Sequence, residues 1–239
     1  MMAQRVLLIG SFADSVRKFR GPLIEELQAK GVQVHVAVPD FEGAVDLKNW
    51  TERQDLGLHN IPLRRTGTNP FADVMLLVRL YRLMRQLRPS ATLSYTIKPV
   101  IYGTIAAWLA GVQQRYALVT GLGYAFTESR KGVLIRVVRI LYRFALGKAE
   151  KVIFQNPDDE RMFRELQLLP AFVPSVVVNG SGVDLLEFSM QPLPYTSPVF
   201  LMIGRLLGDK GVREYAQAAR EVKATFPFAV FRLAGWIDS

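Results

Sequence analysis

Two cations and three glycines close to the C-terminus are the groups in this 239-residue chain best arranged to do chemistry. They lie in the stretch Pro198-Val-Phe-Leu-Met-Ile-Gly-Arg-Leu-Leu-Gly-Asp-Lys-Gly-Val-Arg-Glu214. Val199–Ile203 is a short apolar run bounded by Pro198 and Gly204, the pattern of a buried strand. Gly204 ends it, Arg205 follows at once, and Asp209-Lys210-Gly211 open a helix expected to run to about Phe226. A strand tip, a glycine-containing turn and two basic residues at a helix N-terminus form a cradle for phosphate, because two cations and free backbone N–H groups converge there. On composition alone the stretch also reads as an ordinary βα turn with solvated charges.

Two other turns carry similar features. Gly121 and Gly123 follow an expected strand, Gln114–Val119, and suggest close approach of backbone to a ligand at the C-terminal edge of a sheet; a tight turn is the alternative. Asn179-Gly180-Ser181-Gly182-Val183-Asp184 also turns sharply. The dinucleotide fingerprint is missing: Gly10-Ser11-Phe12 after the first strand is not GxGxxG, and Asp40 at the end of the second is weak support for a nicotinamide cofactor.

Composition narrows the function classes. Lys+Arg 30 against Asp+Glu 21 gives a formal charge of +9, which favours anionic partners: nucleic acid, a membrane surface or a phosphorylated small molecule. The absence of cysteine rules out disulfides, thiolate metal sites and thiol nucleophiles and fits a reducing compartment. The two histidines, His35 and His59, do not suggest a histidine-rich metal site, and His35 in mid-strand reads as a core residue. No secretory leader is expected ahead of Arg5, and no run of about 18 uncharged apolar residues suggests a membrane span.

The elements that must position these groups alternate. Strands are expected at Arg5–Gly10, Val32–Val38, Leu58–Leu63, Ala91–Tyr95, Gln114–Val119, Lys151–Gln155 and Val173–Val178. Helices lie between, over 15–30, 71–88, 99–111, 132–148 and from Pro157 to about Leu168, with the rest of 41–68 irregular. This βαβ order points to an α/β protein with a doubly wound, Rossmann-like parallel sheet. Two of the helices are basic. In 71–88, Leu76, Leu77, Leu80, Leu83, Met84 and Leu87 share one face, and Arg79, Arg82, Arg85 and Arg88 fill the rest. In 132–148, Arg136, Arg139 and Arg143 form a narrow stripe among apolar residues, a pattern suited either to an anionic membrane surface or to a buried helix with solvated arginines. Nucleic acid fits poorly, since these helices need most of their faces for packing and no aromatic strand platform is present.

Residues 1–190 therefore form one domain, 191–198 a linker, and 199–239 the start of a second Rossmann-like domain. A two-stranded parallel sheet with one helix cannot cover both of its faces.

In this order the motifs resemble those of the family 4 retaining glycosyltransferases of the GT-B fold, in which two Rossmann-like domains face each other. The pieces that carry the resemblance are Tyr95-Thr-Ile-Lys-Pro99, Thr120-Gly-Leu-Gly-Tyr-Ala-Phe126, Phe154-Gln-Asn-Pro157, Asn179-Gly-Ser-Gly-Val-Asp184 and Gly204-Arg-Leu-Leu-Gly-Asp-Lys-Gly211. The bacterial members that build surface polysaccharides and lipid-linked oligosaccharides are the most similar. The resemblance implies an enzyme moving a hexosyl-type sugar from a nucleotide-sugar, with UDP the expected nucleotide, to a lipid-linked or polysaccharide acceptor. It implies donor-diphosphate contacts from Gly204, Arg205 and Lys210, cleft loops at Gly121, Gly123, Gly180 and Ser181, and acceptor-side roles for Tyr95 and Lys98. Neither metal nor cofactor is expected. The resemblance also implies a cytoplasmic protein peripheral to the inner membrane face. No catalytic residue is assigned: many family members carry a histidine where this chain has Gly121-Leu122-Gly123, and the family's paired glutamates would fall beyond Ser239, as in a C-terminally truncated chain. A non-catalytic, split subunit that binds acceptor or partner is the alternative.

Overall fold

The computed structural model describes residues 4–64, 69–121, 133–192, 198–204, 206 and 208–235. In β1 (Arg5–Ile9), Leu7 and Ile9 enter one core and Leu8 enters another, so the strand is buried on both faces. Such a strand belongs inside a parallel sheet with helices on either side. That sheet comprises β1, β2 (Gln33–Val38), β3 (Gly57–Asn60), β4 (Ala91–Tyr95), β5 (Gln114–Val119), β6 (Lys151–Phe154) and β7 (Ser175–Val177). Its order is β3-β2-β1-β4-β5-β6-β7 and every pairing is parallel. The α/β, doubly wound architecture expected from the sequence is the one observed.

Right-handed crossovers dictate the layers. The chain moves one way from β1 to β3 and the other way from β4 to β7, so its helices separate onto opposite faces. α1 (Asp14–Ala29) and α2 (Val45–Arg53) pack Val16, Ile24, Leu47 and Trp50 against Leu8, Val34, Val36 and Val38. On the other face, α3 (Pro70–Leu87) and α4 (Thr104–Leu109) bring Leu76, Leu80, Met84, Ala106 and Ala107 to Leu7 and Ile9. α5 (Val133–Leu146) and α6 (Pro157–Glu165) add Tyr142, Leu146 and Phe163 around Phe154.

Three expectations change. Residues 45–53, read as irregular, form α2; its buried Leu47 and Trp50 are only one turn apart, too few for a periodic signal. β3 stops at Asn60, because Pro62 cannot donate to a ladder. The helix expected over 99–111 begins as a π-helical turn at Pro99–Gly103 and becomes α4, with Gly103 pressed against Ser94 of β4.

The chain divides at Gly182/Val183, earlier than the boundary at 190 read from the sequence. The second unit holds β8 (Val199–Ile203), a 3-10 turn at Gly208–Lys210, α7 (Val212–Thr225) and β9 (Val230–Ala234). β8 and β9 pair in parallel as a sheet of their own. The Tyr215 hydroxyl of α7 lies 3.0 and 2.9 Å from the carbonyls of Phe200 and Arg232, and Phe200 stacks on Phe231 at 4.8 Å. Residues 193–197, within the expected linker, lie outside the described residues.

Candidate functional site

In a parallel sheet the turns after the strands share one edge, where open α/β folds bind ligands. Tyr95 ends β4, Gly121 lies just past β5, Gln155 follows β6, and Gly180–Gly182 come shortly after β7. The strand order reverses between β1 and β4, and there Thr96 Oγ1 donates to Ser11 Oγ at 2.8 Å. Beside this point a cavity of about 380 Å³ opens, lined in part by Ser11, Asp14, Asp40 and Arg64. A hydroxyl, two carboxylates and a guanidinium in one cavity can hydrogen-bond a hydroxyl-rich ligand.

Tyr95 does not offer its ring to solvent. It is 2% exposed, packs over Gly10, and carries the Arg20 guanidinium 4.9 Å above its ring centroid. Burial raises its pKa above the ordinary tyrosine value, against smaller opposing effects from Ser15 and Arg20. Lys98 is not a bare cation either. Its ammonium donates to Asp73 Oδ1 at 2.9 Å, while Tyr102 donates to Asp73 Oδ2 at 2.9 Å. Desolvation, reinforced by Asp73, pushes the Tyr102 phenol far up, so it stays protonated as a donor. Both YTIKP side chains expected to meet an acceptor thus hold elements together.

Past β7 the chain turns back across the sheet edge. Gly180 and Gly182 take φ of +72° and +71°, a region costly for residues with a Cβ, and Ser181 sits between them. Ser181 Oγ accepts from Gln155 Nε2 at 3.3 Å and from Arg20 Nη1 at 2.8 Å. Sequence reasoning passed over Arg20. The signal was present: Val16, Arg20 and Ile24 recur at four-residue spacing along the buried stripe of α1, so an arginine stands where an apolar residue belongs.

In the second unit Gly204 closes β8, and its N–H donates to Ala234 at 3.0 Å. Lys210 ends the 3-10 turn and is exposed, and Gly211 precedes α7. The helix opens at Val212 and not at Asp209, so Lys210 stands just ahead of its first turn. Arg205 and Gly123 lie outside the described residues.

A family model for glycosyl transferase 4-like proteins matches residues 5–156, which span β1 through β6 and the start of the turn after it. The chain belongs to the glycosyl transferase 4-like family. This glycosyl transferase 4-like chain is 29% identical over 238 residues to the N,N'-diacetylbacillosaminyl-diphospho-undecaprenol alpha-1,3-N-acetylgalactosaminyltransferase of Campylobacter jejuni, covering 92% of this chain and 61% of that protein. It is 30% identical over 177 residues to the UDP-Gal:alpha-D-GlcNAc-diphosphoundecaprenol alpha-1,3-galactosyltransferase of Escherichia coli, covering 68% of this chain and 44% of that protein. The chain thus spans less than two thirds of the length of either relative. Among solved structures, a sucrose-phosphate synthase from Thermosynechococcus elongatus superposes with a TM-score of 0.66 over 97% of this chain and 62% of its own, at 16% identity, which establishes a common fold.

Proposed function

We propose that this chain comprises the acceptor-side domain and the opening of the nucleotide-sugar domain of a glycosyltransferase. The enzyme moves a sugar from a UDP-linked donor to a diphospho-polyprenol-linked or polysaccharide acceptor in cell-surface glycan assembly. One observation carries this reading: the two relatives, aligned over 92% and 68% of the chain, are both named for transfer to diphosphoundecaprenol-bearing acceptors. The acceptor-side domain corresponds to the first unit, which ends at Gly182, and the opening of the nucleotide-sugar domain falls in the second, from Val183 onward.

Arg205 and Lys210, with the backbone at Gly204, hold the donor diphosphate. Fixed cations stabilise the negative charge that develops on a leaving nucleoside diphosphate, so the step requires neither metal nor cofactor. Gly121, Gly123, Gly180 and Ser181 contact substrate, Ser181 through its hydroxyl. Tyr95 and Lys98 act on the acceptor side by fixing the floor of the edge and the start of α3. Substitution Arg205→Ala is expected to weaken UDP binding at least tenfold, roughly the loss of one charge-assisted hydrogen bond. Unchanged affinity by titration calorimetry would remove the donor-site assignment.

The same reading places the protein at the cytoplasmic face of a membrane, where a polyprenol-linked acceptor resides. Among the described residues no helix is long and apolar enough to cross a membrane. Support for peripheral binding comes from apolar side chains left exposed beside arginines: Phe71, Val74 and Met75 on α3, and Val137, Ile140 and Phe144 on α5.

A further inference from the structure

Arg20 is a buried cation with no carboxylate beside it. The residue is 6% exposed, and among the described residues no ion pair includes it. Its Nη1 donates to the Phe19 carbonyl at 3.0 Å and to Ser181 Oγ at 2.8 Å, and its Nε has no partner. The Tyr95 ring beneath it adds a π face but no full charge. A guanidinium held out of water without a counter-charge is costly, and desolvation accordingly presses its pKa below the ordinary arginine value. Lys98, another cation near this edge, is already paired with Asp73.

The group that Arg20 orients is the Ser181 hydroxyl. Its oxygen accepts from Arg20 and from Gln155, which fills both lone pairs. The hydroxyl proton is left to donate outward, and Ser181 is exposed. An outward O–H donor with a full positive charge behind it suits an anionic oxygen.

We infer that Arg20, Ser181 and Gln155 form an anion subsite on the C-terminal edge of the large sheet, taking one phosphate of a diphosphate-bearing ligand. Ser181 touches the ligand; Arg20 acts behind it as a positioning residue and as the source of charge. The choice of a diphosphate rests on the glycosyltransferase reading, whereas the anion chemistry rests on this geometry alone. The diphosphate belongs either to the nucleotide-sugar or to the lipid-linked acceptor.

The test titrates the whole chain calorimetrically with inorganic pyrophosphate, UDP and farnesyl diphosphate. Ser181→Ala is expected to weaken pyrophosphate about tenfold, and Ser181→Thr, which keeps the hydroxyl, to stay within about twofold of the parent. Arg20→Met should match Ser181→Ala, and the double variant should be no worse than the weaker single one, because Arg20 acts through Ser181. Whichever of UDP and farnesyl diphosphate weakens along with pyrophosphate identifies donor or acceptor as the source. Parent-like binding of all three probes by Ser181→Ala overturns the inference, as do additive losses in the double variant or a parent chain that binds none of the probes. Should Arg20→Met fail to fold, the contrast between alanine and threonine at exposed Ser181 decides alone. Loss of pyrophosphate binding in Ser181→Ala beside an Arg205→Ala that keeps its UDP affinity would support the subsite while the donor-site assignment fails. An unaffected Ser181→Ala beside an Arg205→Ala that loses UDP would overturn the subsite and leave the transferase reading standing.

Discussion

Gly10 has no side chain because Tyr95 occupies the space where one would sit. A Cβ there would collide with the phenol ring, which is itself fixed in the core. Gly10→Ala is therefore expected to cost about 1–3 kcal/mol through overpacking, read from the urea midpoint; parent-like stability would show that the ring can yield. His35 and His59 meet across β2 and β3, with His35 Nδ1 3.1 Å from His59 Nε2. One ring must accept while the other donates, so the contact requires at least one neutral imidazole. Desolvation lowers both pKa values, with a smaller contribution from Arg5 at His35 and from His35 and Arg79 at His59. The sign follows directly. Each folded pKa lies below the ordinary 6.5, so the unfolded chain takes up protons first as pH falls. Stability should hold above about pH 6.5 and drop as pH falls through that value toward the folded pKa values. In His59→Gln the difference between urea midpoints at about pH 7.5 and 5.5 should shrink, and an unchanged difference would assign the dependence to other groups.

At the scale of elements, α3 is held at its start by two devices. Asn69 caps it, its Oδ1 accepting from the N–H groups of Phe71 and Ala72 at 3.0 and 3.4 Å. Asp73 then ties the first turn to Lys98 and Tyr102 beyond β4, with its side chain only 17% exposed. Asp73→Ala would strand both donors and is expected to destabilise the fold by about 1–3 kcal/mol in chemical denaturation. A loss within error would mean that water replaces the carboxylate without cost. The outward faces of α3 and α5 place Arg79, Arg82, Arg136 and Arg139 among exposed apolar residues. The chain should sediment with anionic vesicles at low salt and less so at high salt, and a Phe71→Glu/Ile140→Glu variant should remain in the supernatant. Sedimentation of that variant at the parent level would assign binding to another surface.

At the scale of the whole molecule the two units differ in how much they bury. The large sheet is closed on both faces by three core clusters. In the second unit α7 has no buried residue, and Phe200, Leu201, Ile203, Phe228 and Leu233 are exposed. Local stability follows buried apolar contact, so amides of β8 and β9 should exchange with deuterium well before those of β1, β4 and β5. Equal protection, read by mass spectrometry, would show that the small sheet is covered by a further surface in solution.

The sequence by itself determined the strand sites, the parallel α/β class and the edge on which the motifs gather. Buried strands write themselves as short apolar runs, and Gly121, Gly180 and Gly204 mark where such runs must turn. α2 escaped because a single turn separates its two buried apolar residues, Leu47 and Trp50. Only the tertiary structure decided the side-chain partnerships: Arg20 with Ser181 at a separation of 161 residues, Lys98 with Asp73 at 25, and His35 with His59 at 24. These contacts depend on strand order and on which face each helix covers. Neither is a local property, so Lys98 read as an acceptor-side residue and Arg20 as an unremarked charge until packing gave one a carboxylate and left the other without.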